Sequence, residues 1–120
     1  MDKLHYDLFR ALDALSGTDD ASFCTQFTAF VGQMELAFRE EDMWMEELEL
    51  PAIATHQEQH ARTLSALHHV HAQVMGGDFG TGRYVVEELL PQWLPFHIAT
   101  MDAPLALAMQ ANGNMREPCR

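Results

Sequence analysis

Apolar residues along this chain recur at spacings of three and four, and strand-like alternation is nearly absent, so the pattern predicts helices. A first helix is predicted over about residues 2–15, with Leu8, Phe9, Leu12 and Leu15 on one side and a stop at Ser16-Gly17. The second begins after the capping candidates Thr18, Asp19 and Asp20. It carries a long stripe, Phe23, Phe27, Phe30, Val31, Met34, Phe38, Met45 and Leu48, and ends before Pro51. The third starts near Pro51, carries Ile53, Leu64, Leu67 and Val74, and ends at Gly76-Gly77. After a predicted loop, "GGDFGTG", the fourth carries Val86, Leu90, Trp93, Leu94, Ile98, Met101 and Leu105. Pro91, Pro95 and Pro104 each remove a backbone donor there, so this helix is expected to be bent or broken.

Four amphipathic helices joined by short Gly- or Pro-containing loops pack most simply as an all-α, up-down-up-down four-helix bundle. The bundle is expected over residues 1–110, with "ANGNMREPCR", residues 111–120, as a flexible tail.

Several titratable residues fall on the apolar stripes. His5 lies three and four residues before Leu8 and Phe9, and Glu41 sits between Phe38 and Met45. In "PAIATHQEQH", His56 and His60 follow Ile53 and precede Leu64, one helical turn apart, which sets two imidazoles about 6 Å from each other. His97 falls four after Trp93 and four before Met101, and Asp102 lies beside Ile98 and Leu105. Every predicted helix thus points at least one such group inward. Burying a lone carboxylate costs several kcal/mol or shifts its pKa until it is neutral. A multivalent cation removes that cost for two carboxylates and four imidazoles together, so the pattern predicts a metal site inside the bundle.

Composition narrows the alternatives. The 120 residues support one domain, and seven Lys and Arg against eighteen Asp and Glu leave a formal net charge of −11. That surface repels phosphate backbones and anionic lipid, so neither nucleic acid nor membrane is an expected partner. No uncharged run approaches the roughly 20 residues of a spanning helix, and the charged N-terminus does not read as a signal peptide, so a cytoplasmic protein is expected. Cys24 and Cys119 are far apart and are read as free thiols. Motifs for dinucleotides, nucleoside triphosphates and serine hydrolysis are absent. "HQEQH" is not the zinc-protease pattern, because Glu58 comes two residues after the first histidine. His68, His69 and His71 lie roughly 12–17 Å further along the helix than His60, too far to share its centre.

The run "AFREEDMWMEELELPAIATHQEQH", followed by "WLPFHIATMD" and preceded by "DKLHYDLF", resembles the haemerythrin family, its bacterial single-domain members in particular. The likeness covers about residues 2–105. It implies a non-haem centre of two iron ions, oxo- or hydroxo-bridged, that binds O2 or another small diatomic ligand. Carried over, His56, His60 and His97 would hold the first iron, Glu41 and Asp102 would bridge, and His5 would hold the second. A family histidine four residues before the bridging glutamate is here Ala37, which leaves the second iron short of protein ligands and more readily lost. Gln33, one turn before Ala37, and Asp2, one turn before His5, are placed to help, although neither is a ligand in the family pattern. The resemblance implies O2 storage, delivery or sensing. The alternative is a di-iron oxidoreductase or redox sensor that reacts with peroxide, nitric oxide or ferrous iron at the wider open position.

Overall fold

The repeat of three and four becomes helix wherever it occurs. In the computed structural model, which describes residues 2–51 and 53–111, α1 runs Asp2–Ser16, α2 Asp20–Leu48 and α3 Ile53–Met75. A fourth rod follows as α4 (Phe79–Tyr84), a π turn (Val85–Leu89), α5 (Leu90–His97), a second π turn (Ile98–Asp102) and α6 (Ala103–Ala111). α2 packs on α1 and α3, α3 packs on α4, and the first π turn returns to α1, which closes the four-membered bundle. The expected tail, beyond Ala111 at the end of α6, lies outside the described residues, as does Cys119.

Helix starts follow capping chemistry. Asp19 accepts a hydrogen bond from the Ser22 amide at 3.0 Å and opens α2. Asp78 does the same for α4 by accepting from the Thr81 amide at 3.2 Å. This second cap overturns the predicted loop "GGDFGTG": the chain turns through Gly76, Gly77 (φ 102°) and Asp78, and is helical from Phe79. Gly82 is therefore a helical position. A Cβ there would stand 2.5 Å from Val74 Cγ2 and 2.8 Å from Phe23 Cε2, so its missing side chain lets α4 approach α2 and α3.

The prolines do not break the fourth rod, and its helical bonding continues through both π turns. Each π turn ends two residues before a proline, at Pro91 and at Pro104. The Leu90 amide donates to the Val85 carbonyl and the Ala103 amide to the Ile98 carbonyl, five residues back in each case. These widened turns take up rings that would clash with carbonyls of a regular α turn, and helical bonding continues. One apolar assignment also changes. Leu8, Leu12 and Leu15 are buried, but Phe9 is 38% exposed at the seam where α1 meets Pro91.

The core is split into two layers. Phe23, Phe27, Phe30, Met34, Phe38 and Leu94 belong to the larger, and Cys24, a free thiol, rests against it. Trp44, Met45, Leu105 and Met109 form the smaller. Glu41 falls between Phe38 and Trp44 on α2, and His97 and Asp102 fall between Leu94 and Leu105 on the fourth rod, so a polar layer separates two apolar ones. Among the described residues no helix is long and apolar enough to cross a membrane.

Candidate metal centre

Glu41, His56, His60, His97 and Asp102 are each at most 3% exposed. One ligand atom from each of the five lies within 4.8 Å of all the others, an arrangement that could hold a cation. The atoms that converge are Nε2 of the three imidazoles, Oε1 of Glu41 and Oδ1 of Asp102. His56 Nε2 is 2.8 Å from Asp102 Oδ1, His97 Nε2 is 3.2 Å from the same oxygen, and His60 Nε2 is 3.0 Å from Glu41 Oε1. Despite these short separations, none of the five atoms has a hydrogen-bond partner of acceptable geometry. Buried polar atoms are nearly always paired, so five orphans aimed at one point fit a shared cation and fit no internal hydrogen-bond network. The donor set is imidazole and carboxylate without thiolate, which suits iron or another borderline divalent ion.

His5 faces the other oxygen of each carboxylate. Its Nε2 lies 3.3 Å from Glu41 Oε2 and 3.1 Å from Asp102 Oδ2. The two carboxylates thus present Oε1 and Oδ1 to three imidazoles and Oε2 and Oδ2 to a fourth. Without a metal, burial would depress the His5 imidazole, but the contacts with Asp102 and Glu41 outweigh it and lift the pKa to about 9. Burial would likewise raise Asp102, yet its contacts with His5, His56 and His97 hold it well below the usual carboxylate range. For His60, burial is again outweighed, here by Glu41 and Asp42, and the pKa is raised. The site therefore favours charge of both signs at its centre.

The helical turn explains each placement. His56 and His60 share a face of α3 at one-turn spacing. His97 and Asp102 are five residues apart, which on a regular α-helix would set them about 140° apart. The π turn Ile98–Asp102, bonded over five residues, restores them to one face, so Asp102 aligns with His97.

Two supporting residues escaped the sequence reading. His60 Nδ1 donates to Asp42 Oδ1 at 2.9 Å, and His97 Nδ1 donates to the Gln59 amide oxygen. Each bond puts the proton on Nδ1 and leaves the Nε2 lone pair free for a cation. Their only signal in the sequence is adjacency, Asp42 directly after Glu41 and Gln59 directly before His60. Aromatic rings fix the imidazole planes: Phe38 stacks on His60 with centroids 3.9 Å apart, and Trp93 on His97 at 4.6 Å.

The structure brings all six sequence candidates together. Ala37 is buried at 1% exposure in the larger apolar layer. Gln33 keeps a buried Oε1 without a hydrogen-bond partner, but it lines a groove between α1 and α2 with Asp7, Arg10 and Ala11. The side chain of Asp2 is outside the described residues. His71 contacts the Thr28 hydroxyl at 2.7 Å, His68 pairs with Glu35 on the surface at 2.9 Å, and Glu58 pairs with Arg62 at 3.0 Å.

No family model and no solved structure matches the chain. Among curated proteins it is 30% identical over 112 residues to Bacteriohemerythrin of Ralstonia nicotianae (strain ATCC BAA-1114 / GMI1000), an alignment that covers 93% of this chain and 81% of that protein. A helical bundle with a buried histidine and carboxylate cluster, related over nearly its whole length to that protein, places the chain: it belongs to the haemerythrin family.

Proposed function

We propose that this chain is a non-haem di-iron protein that binds O2 reversibly, for storage, delivery or sensing. The observation that carries the reading is the division of the two carboxylates, with Oε1 and Oδ1 turned to His56, His60 and His97, and Oε2 and Oδ2 turned to His5. His56, His60 and His97 with Oε1 and Oδ1 would hold one cation, and His5 with Oε2 and Oδ2 would hold a second. Ferrous iron at such a pair supplies the electrons that reversible O2 binding requires. The protein supplies the rest: Asp42 and Gln59 hold two imidazoles in the ligating tautomer, and two apolar layers keep water from the centre.

The two halves of this centre are unequal. Five protein atoms serve the first position and three serve the second, where Ala37 stands on the adjacent turn of α2. We infer that the position served by His5 would hold its iron less tightly, because fewer protein atoms reach it, and would leave more room for a small ligand. The same openness favours a second reading, an oxidoreductase or redox sensor that reacts with peroxide or nitric oxide.

One experiment separates the readings. Anaerobically reduced, iron-loaded protein is exposed to O2 and then degassed while the visible spectrum is followed. An absorption band that appears with O2 and vanishes on degassing supports the binding protein. Immediate oxidation that degassing does not reverse supports the enzyme or redox sensor. Metal analysis that finds no iron in protein expressed with iron removes both.

A further inference from the structure

From Leu89 to Ala111 the fourth rod carries a single acidic or basic residue, Asp102, and that one is 2% exposed in the metal layer. Charged residues make up 21% of the chain, so a water-facing stretch of this length without one sets the rod apart. Its outer side is apolar instead: Pro91, Pro95, Phe96, Ala99, Ala103 and Leu107 are all exposed, Phe96 at 66% and Leu107 at 65%. Two polar side chains among them are already bonded within the rod. The Thr100 hydroxyl donates to the Phe96 carbonyl at 2.8 Å, and Gln92 Nε2 donates to the Glu88 carbonyl at 3.0 Å, so covering the face strands neither group. Exposed apolar residues on other helices are interspersed with charge. Arg39 and Glu40 separate Leu36 from Met43 on α2, and Arg10 lies over the Tyr6 ring on α1.

Charge says what covers this face. The chain stands at −11, so two copies repel each other across any surface that carries their acids. They can approach where charge is absent, and the outer side of the fourth rod is that place. A basic partner would be drawn to the acidic remainder of the surface and gains nothing from a neutral one. The extent agrees with self-pairing. At 1.5 Å per residue the stretch is about 34 Å long, and across the 20 Å depth of the bundle it offers on the order of 700 Å2, against roughly 800 Å2 per partner in a standard interface.

We propose that this face pairs two copies of the chain in an antiparallel dimer, with the two-fold axis near Ala99 and Thr100. Glu87 and Glu88, exposed acids at the head of the rod, decide the direction, because parallel copies would set them side by side. Size agrees as well. About that axis Phe96 of one copy falls over Ala103 of the other, so each ring meets a small residue. The axis passes the second π turn, Ile98–Asp102, so pairing braces the segment that aligns His97 with Asp102. The pairing itself does not rest on the di-iron reading, because none of the six site residues lies on the outer face.

Sedimentation velocity on the full-length chain as isolated, from about 1 to 500 μM, tests the proposal. A monomer–dimer equilibrium is expected, with a dissociation constant on the order of 10–100 μM. Raising salt from about 50 to 500 mM should tighten it several-fold, because screening relieves repulsion between two acidic chains and the face has no ion pair to weaken. Phe96→Glu and Leu107→Glu each bury a carboxylate in the contact and should loosen it about tenfold or more. Both side chains are exposed in the single chain, so its helical circular dichroism should be unchanged. Leu36→Glu on α2 is the control and should pair like wild type. A monomer at every concentration, including one that attaches to phosphatidylcholine vesicles instead, overturns the proposal. So does a dimer that salt dissociates, one that survives both rod variants, or one lost in Leu36→Glu. Iron content and O2 response are not read here, so this test and that of the di-iron centre fail independently.

Discussion

His97 Nε2 and Asp102 Oδ1 stand 3.2 Å apart although five residues separate them on one rod, because a π turn rather than an α turn joins them. Pro104 follows that turn by two residues, so the feature that threatened to break the helix accompanies the one that aligns the site. Asp102→Asn keeps the shape and removes the charge shared by the two proposed irons. Iron per chain should fall from two to one or none, while the helical circular dichroism is unchanged. Two irons retained in this variant would remove Asp102 as a bridge.

His60→Ala tests the first iron position. It deletes a convergent Nε2 and the ring that Phe38 stacks on, and leaves Glu41 Oε1 without its 3.0 Å neighbour. Loss of one partner of a buried charged group costs about 3–5 kcal/mol, so metal content and melting temperature should drop together. An unchanged melting temperature with full metal content would exclude His60 from the centre.

Asp42→Ala probes support without touching a ligand atom. Its hydrogen bond to His60 Nδ1 sets the tautomer that leaves Nε2 free, and outer partners of this kind are worth roughly 10–100-fold in metal affinity. The expected result is faster iron loss to a chelator with the fold intact. Asp42→Asn, whose amide oxygen still accepts the bond, should recover most of the loss. Equal chelation rates in wild type and Asp42→Ala would make the contact incidental.

Ala37→His tests the inequality of the two positions. An imidazole one turn before Glu41 should raise retention of the second iron under chelator challenge by about tenfold or more. The site is tightly buried, so some loss of stability in the metal-free chain is expected. If iron retention is the same as in wild type, the residue at 37 does not govern the second position.

Gly82→Ala separates fold from function. Helix propensity alone would favour alanine by about 1 kcal/mol. The added carbon would meet Val74 and the fully buried Phe23 ring below 3 Å, however, and overpacking costs about 1–3 kcal/mol, so clash prevails. A melting temperature lowered by a few degrees with normal iron content is the expected outcome of thermal denaturation and metal analysis.

Much of this architecture was legible in the chain. The stripe of α2 places Glu41 inward because its neighbours at three and four positions are apolar, and His56 and His60 share a face because α-helical spacing puts them there. Phe9 misled because the stripe says which side of α1 is apolar but not how far the fourth rod reaches around it. The "GGDFGTG" stretch misled because glycine content signals a turn, whereas Gly82 is small to admit two neighbouring helices.

The sequence by itself determined four helices, a single bundle and the six titratable residues at its centre, because helical periodicity and burial are local consequences of residue order. Only the tertiary structure decided which oxygen of Glu41 and Asp102 faces which imidazole, that Asp42 and Gln59 hold the tautomers, and that π turns carry the rod past Pro91 and Pro104. Those facts depend on distances between helices remote in the chain. Periodicity along one helix sets a direction for each side chain but carries no information about what another helix places opposite it.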